Sequence, residues 1–215
     1  MSDLTITCLD VVPDKYGASP TLMFKLRITD ATGTPIHAIL LRTQIRIEPV
    51  RRHYTPEEAD RLLDLFGETS RWGDTLKPLQ FAALSTLVKP FIGTVDVDLP
   101  VPCSYDFEVA EGKYLHALET GEVPFLLLFS GTVFERAGQD GTNFRVNQIP
   151  WELESQVRMP APRWREMMDM YFPGQAWIRM SRDTLDAIQH YKSTHALPTW
   201  DVAIDHLLTA AREPA

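Results

Sequence analysis

TLMFKLRITD, residues 21–30, reads in steps of two: Leu22, Phe24, Leu26 and Ile28 are apolar, and Lys25, Arg27 and Thr29 between them are polar. Successive side chains of an extended chain point to opposite faces, so this spacing predicts a strand with one buried and one wet face. The same period continues outward. Upstream, Leu4, Ile6 and Cys8 share a face. Downstream, the turn residues Asp30 to Gly33 lead into a run from about Ile36 to Glu48, where Ile39, Leu41, Ile45 and Ile47 oppose Arg42, Gln44, Arg46 and Glu48. Val95, Val97, Leu99 and Val101 then alternate with Thr94, Asp96, Asp98 and Pro100. Pro124 to Glu135 is apolar enough for a central strand, and the loop from Ala137 to Gly141 makes a hairpin to a return arm over Thr142 to Met159.

Helical patterns interrupt and follow these strands. Thr55-Pro56-Glu57-Glu58 combines a capping hydroxyl, a proline in the first turn and a glutamate three residues on, so a helix starts there with Ala59, Leu62, Leu63 and Phe66 on its apolar side and Gly67 at its end. Phe81 to Val88 is compatible with a short helix, which makes residues 55–93 a helical insertion between strands. From Phe107 the spacing is again helical, through Ala110, Tyr114 and Ala117, until Gly121. After Pro160 only a period of 3.6 remains, in three stripes built on Trp164, Met167, Met168 and Tyr171, on Leu185, Ile188 and Tyr191, and on Trp200, Ile204, Leu207 and Leu208. These readings predict a mainly β, α+β protein. Residues 1–159 form an antiparallel, immunoglobulin-like β-sandwich, and residues 160–215 form a C-terminal helical segment docked on it.

A chain of 215 residues with a net charge of −8 argues against general adhesion to nucleic acid or anionic lipid. The N-terminal segment lacks a basic leader, and the longest apolar run, Phe125 to Phe129, is far too short to span a bilayer, so the expected location is the cytoplasm. Cys8 and Cys103 match no metal-site spacing and read as reduced thiols, with a disulfide as the alternative. No glycine-rich phosphate loop, nucleophile elbow or paired histidine spacing is present, so no catalytic residue, cofactor or metal ligand is assigned.

The charge feature that stands out is RTQIRIEPVRRHY, residues 42–54, with four arginines in thirteen residues. Arg42 and Arg46 fall on a strand's wet face, where Asp96 and Asp98 of a neighbouring strand would neutralise them together with Lys25 or Arg27. Arg51 and Arg52 lie past Pro49 and before the capped helix, a place that can present guanidinium groups to an acidic partner. With Arg71, Trp72 and Asp74 of the following turn they are the candidate partner-binding residues, because Trp and Arg dominate interface energetics. The alternative is a small anionic ligand, or an enzyme's substrate, held between sandwich and C-terminal helices by Arg51, Arg71 and Asp74.

The stretches RWGDTLKPLQF (71–81), IRIEP (45–49), LPVPC (99–103), LLFSGTVF (127–134) and LPTWD (197–201) resemble those of an uncharacterised, actinobacterial-type family of unknown function. Genes of that family often neighbour nickel–iron hydrogenase genes. The resemblance implies a non-enzymatic accessory or assembly protein whose partner is another protein, such as a hydrogenase component; it assigns no functional residue and leaves a homo-oligomer open.

Overall fold

In a computed structural model, which describes residues 3–103, 109–137, 143–175 and 178–212, the period-two runs form strands. They are β1 (Leu4–Pro13), β2 (Thr21–Asp30) and β3 (Ile36–Ile47). Helices α1 (Pro56–Arg61) and α2 (Leu63–Phe66) and the single turn α3 (Trp72–Thr75) come next, followed by β4 (Leu79–Val88) and β5 (Thr94–Pro102). Then come α4 (Ala110–Ala117), β6 (Glu122–Ala137), β7 (Asn143–Gln148), β8 (Glu154–Pro160), α5 (Pro162–Tyr171), α6 (Arg182–Thr194) and α7 (Trp200–Arg212). Phe107, the 138–142 part of the expected hairpin loop and Trp177 lie outside the described residues.

The protein is mainly antiparallel β with several helices. One sheet has the order β1-β2-β5; the other runs β4-β3-β6, with β7 and β8 pairing successive parts of the long strand β6. The buried rows of both sheets enter one core, where Phe24 of β2 meets Phe125 of β6 edge-on at 5.3 Å and Phe81 of β4 at 6.3 Å. Burying such large rings removes apolar area from water at roughly 25 cal/mol per Å², the main driving force for closing the two layers.

Two expectations change. The 55–93 insertion is helical only as far as Thr75, and residues 79–88 form a strand instead of a short helix. The helix-compatible Ala82, Ala83 and Leu84 are overridden by pairing with β3, whose apolar row would otherwise lose one neighbour. The charge ladder keeps its Lys25 and Arg27 members and loses Arg42 and Arg46. Strand β2 lies between β1 and β5, so Asp98 and Asp96 stand opposite Lys25 and Arg27, with contacts of 2.7 and 2.8 Å. Arg42 and Arg46 belong to β3 in the other sheet, because the β2–β3 connection crosses between layers.

Both ladder pairs are exposed, and exposed ion pairs compete with water and salt. Replacing Arg27 with alanine is therefore expected to leave the urea midpoint close to that of the parent, with any difference disappearing in 0.5 M salt. A large loss that persists in salt would show that the pair holds β2 to β5.

The C-terminal helices divide by packing. Helix α5 belongs to the first compact unit, Met1–Trp177, where Trp164, Met167 and Met168 are buried; Arg163 also donates to Asp10 at 2.7 Å. The second unit, Ile178–Ala215, contains α6 and α7, with Tyr191 and His206 hydrogen-bonded at 2.5 Å. No described helix is long and apolar enough to cross a membrane. Cys8 and Cys103 are free thiols, each pushed up to about 12 by burial.

Candidate functional site

The expected partner-binding residues occupy one corner of the first unit but have different employments. Thr55 caps α1 through a full capping box: its hydroxyl accepts from the Glu58 N–H, and the Glu58 carboxylate accepts from the Thr55 N–H. That carboxylate, 1% exposed, also takes the Arg52 guanidinium at 2.7 Å and the N–H groups of Glu119 and Thr120 at 2.9 and 3.2 Å. Burial, the largest single influence, raises its proton affinity. The donors from Glu119, Thr120 and Thr55 and the Arg52 charge together prevail and hold it below the usual carboxylate range. Arg52 further donates to the carbonyls of His53 and Thr120 and lies over the Tyr54 ring at 4.8 Å. It ties the α1 entry to the segment before β6 and has 4% of its side chain left for solvent.

Trp72 is likewise engaged. Its indole N–H donates to the Gly67 carbonyl at 2.9 Å, and its ring packs against Tyr54 and Phe66. Tyr54 and Tyr114 share a hydroxyl contact of 2.9 Å beneath it, and burial raises the Tyr54 phenol to about 12. Arg51 is half exposed, 3.9 Å from Glu48. Arg71 and Asp74 are exposed at the start of the α3 turn. The predicted set thus splits into Arg52 and Trp72, which hold the fold, and Arg51, Arg71 and Asp74, which face water.

Two shallow clefts adjoin at His116 on α4. One, of about 270 Å³, is lined by His116, Trp164, Arg165, Met168 and Asp169 among others. The second, of about 300 Å³, is lined by Arg61, Asp64, Leu65, Lys113, His116 and Ala117. Most of its charge is paired internally, Arg61 with Glu119 at 2.6 Å and Lys113 with Asp64 at 2.5 Å. Partial desolvation, then Arg165 and Arg61, lower the His116 proton affinity below the usual imidazole value. An imidazole that binds protons less readily when folded stabilises the protein fully above about 6.5, and that contribution is lost as pH falls through the lowered value. Replacing His116 with glutamine should therefore flatten the decline in melting temperature between about pH 7 and 5. Parallel curves for the two proteins would contradict that sign.

The third surface is the outer face of the larger sheet. Across it, Leu87 of β4 stands opposite Leu40 of β3, and Leu40 stands opposite Thr132 of β6. One step along, Ala38 faces Phe134, which faces Val146 of β7. Leu40 and Leu87 are 50% and 62% exposed on one side of β6, and Phe144 and Val146 are 51% and 56% exposed on the other, all large apolar side chains in water. Beside the first two Arg42 lies between Ser85 and Ser130, and a groove of about 280 Å³ runs between Leu40, Leu87, Arg42 and Ser85. Arg42 belongs to none of the ion pairs among the described residues. Sequence reasoning missed this surface because it read 81–88 as compatible with a short helix. The available signal was the alternation of Ala83, Ser85 and Leu87 with Ala82, Leu84 and Thr86.

The model of a family described as "Family of unknown function (DUF6084)" matches residues 1–215. Among the curated proteins none matches the chain. A β-glucosidase from Kluyveromyces marxianus, solved as a selenomethionine-labelled crystal structure, is similar over 74% of this chain and 15% of its own, at 8% identity and a TM-score of 0.24. The chain thus spans a small part of that enzyme, and a likeness at this level bears on neither fold nor activity here.

Proposed function

The chain belongs to the DUF6084 family, whose description names no activity, and from its own geometry we propose that it is a non-enzymatic, cytoplasmic protein-binding module. The observation that carries this reading is one outer sheet face with Leu40, Leu87, Phe144 and Val146 exposed on it and Arg42 beside the first two. Large apolar side chains clustered in water mark interaction surfaces, and an arginine without an internal partner adds selectivity for acidic groups. The proposed scaffold is an immunoglobulin-like sandwich, supported by two antiparallel sheets sharing one core. The sequence resemblance supplies the first candidate partner, a component of a nickel–iron hydrogenase system.

Affinity purification from the native host at low salt tests this, with the parent and the Leu40→Lys, Leu87→Lys double variant compared side by side. The expected result is a protein recovered with the parent and lost with the variant. Repeated recovery of the parent alone overturns the reading.

The clefts at His116 favour a second reading, a small anionic-ligand binder, because Arg61, Lys113 and Arg165 surround them. A thermal-shift titration with phosphate and citrate distinguishes it. A ligand at a hundred times its Kd adds about 2.7 kcal/mol, and no shift with either anion counts against this alternative.

A further inference from the structure

The edges of the two sheets are finished differently. Strand β1 runs beside β8, and its Cys8 N–H donates to the Ser155 hydroxyl at 2.8 Å. Strand β5, the outer strand of the smaller sheet, carries Asp96, Asp98, Pro100 and Pro102, residues that discourage another strand from adding. Strand β4, LQFAALSTLV, has neither a charge nor a proline in ten residues. It pairs with β3 alone. Outside that ladder no backbone–backbone hydrogen bond among the described residues involves 79–88, and the Gln80 amide on the Ala82 carbonyl, at 2.9 Å, is a side-chain contact to this strand's backbone. The edge-directed peptide groups between Ala83 and Leu87 therefore have no backbone partner among the described residues.

The charges nearest this strand in sequence and register are cations. Lys77 and Lys89 flank the strand and are exposed, and Arg42 is directly opposite Ser85 on the outer face. None of the three enters an ion pair among the described residues. A second copy of this chain added antiparallel would bring the Lys77 end of one β4 to the Lys89 end of the other, setting like charges together. The same cations complement acidic groups.

We propose that β4 is an addition site for an extended segment of a partner protein, a neutral β-forming core flanked by acidic residues. This deepens the binding-module reading and rests on it. The added strand completes the ladder of β4 through main-chain bonds. Its outward side chains lie level with the groove between Leu87, Leu40, Ser85 and Arg42, where one apolar and one acidic side chain find complementary surface.

The test uses two labelled nonapeptides, EETVTVTEE and KKTVTVTKK, titrated onto the full chain by fluorescence polarisation, with amide hydrogen exchange read at saturation. The acidic peptide should bind roughly tenfold more tightly, since each exposed ion pair contributes a few-fold. It should slow exchange within residues 79–88, and Arg42→Glu should cut the preference to about twofold, the share left to Lys77 and Lys89. The Ala83→Lys, Leu87→Lys double variant should lose both peptides; if it fails to fold by circular dichroism, the Arg42→Glu arm decides. Equal binding of the two peptides, no binding of either, or slowed exchange elsewhere overturns the proposal. A partner that co-purifies equally with the parent and with Ala83→Lys, Leu87→Lys sinks the edge assignment and leaves the binding-module reading standing. Acidic-peptide binding in a chain that recovers no protein does the reverse.

Discussion

Replacing Glu58 with alanine is expected to lower the unfolding free energy by about 3–5 kcal/mol, the cost of removing one partner of a buried ion pair. The physical loss has three parts. Arg52, 4% exposed and with its Nη1 already unpartnered, keeps a charge without a counter-ion. The N–H groups of Glu119 and Thr120 lose their acceptor, and α1 loses half of its capping box. Urea unfolding measures the change, and a loss within the range of exposed pairs would contradict the assignment. Converting the pair jointly to apolar residues, Arg52→Met with Glu58→Leu, should recover much of the deficit, because the stranded charge then disappears. Acid dependence follows from the lowered proton affinity of Glu58. Its stabilisation is complete above the ordinary value of 4.5 and is lost as pH falls through the lowered one.

Gly131→Ala should be at least as damaging. Gly131 sits in β6 opposite Leu41 with a φ of +143°, and a Cβ there would lie 1.9 Å from the Leu40 carbonyl oxygen. The backbone conformation costs about 1–3 kcal/mol for a residue with a side chain. Separating β3 from β6 to relieve the overlap adds about 1–3 kcal/mol of overpacking. These strands join the centre of the larger sheet, so the expected outcome is a chain that is largely unfolded or recovered only as aggregate. A melting temperature within a few degrees of the parent's would show that the two strands can part there without loss.

Both effects were partly visible in the sequence. The capping box at Thr55 to Glu58 could be read directly, since its spacing is local. What local spacing does not carry is the second employment of Glu58, which depends on Glu119 and Thr120 some sixty residues away. Arg52 therefore looked like a guanidinium presented to a partner, when it is the counter-ion of the cap. Gly131 in a strand signals a close approach or a bulge, yet only the register with Leu41 identifies what approaches.

The strands built on strict alternation, β2 and β5 above all, were legible because each buries one face whatever its neighbours are. Their partners were not, since alternation fixes a face and not a neighbour. That is why the acidic ladder was extended to Arg42 and Arg46, when only its Lys25 and Arg27 members meet Asp98 and Asp96. Strand β4 was the costliest miss. Its alanines and leucines suit a helix, and the β3 row that makes it a strand is distant in sequence. With β4 went the outer face, and with that face the proposed docking surface.

The central claim, that this face and its β4 edge receive another protein, is tested most directly by hydrogen exchange on the complex purified from the native host, compared with the isolated chain. The predicted result is slowed exchange concentrated in residues 79–88, 36–47 and 143–148, with the Arg27 side of the smaller sheet unchanged. Recovery of the chain without a partner, or protection confined to the helical corner around Arg51 and Arg71, would contradict it.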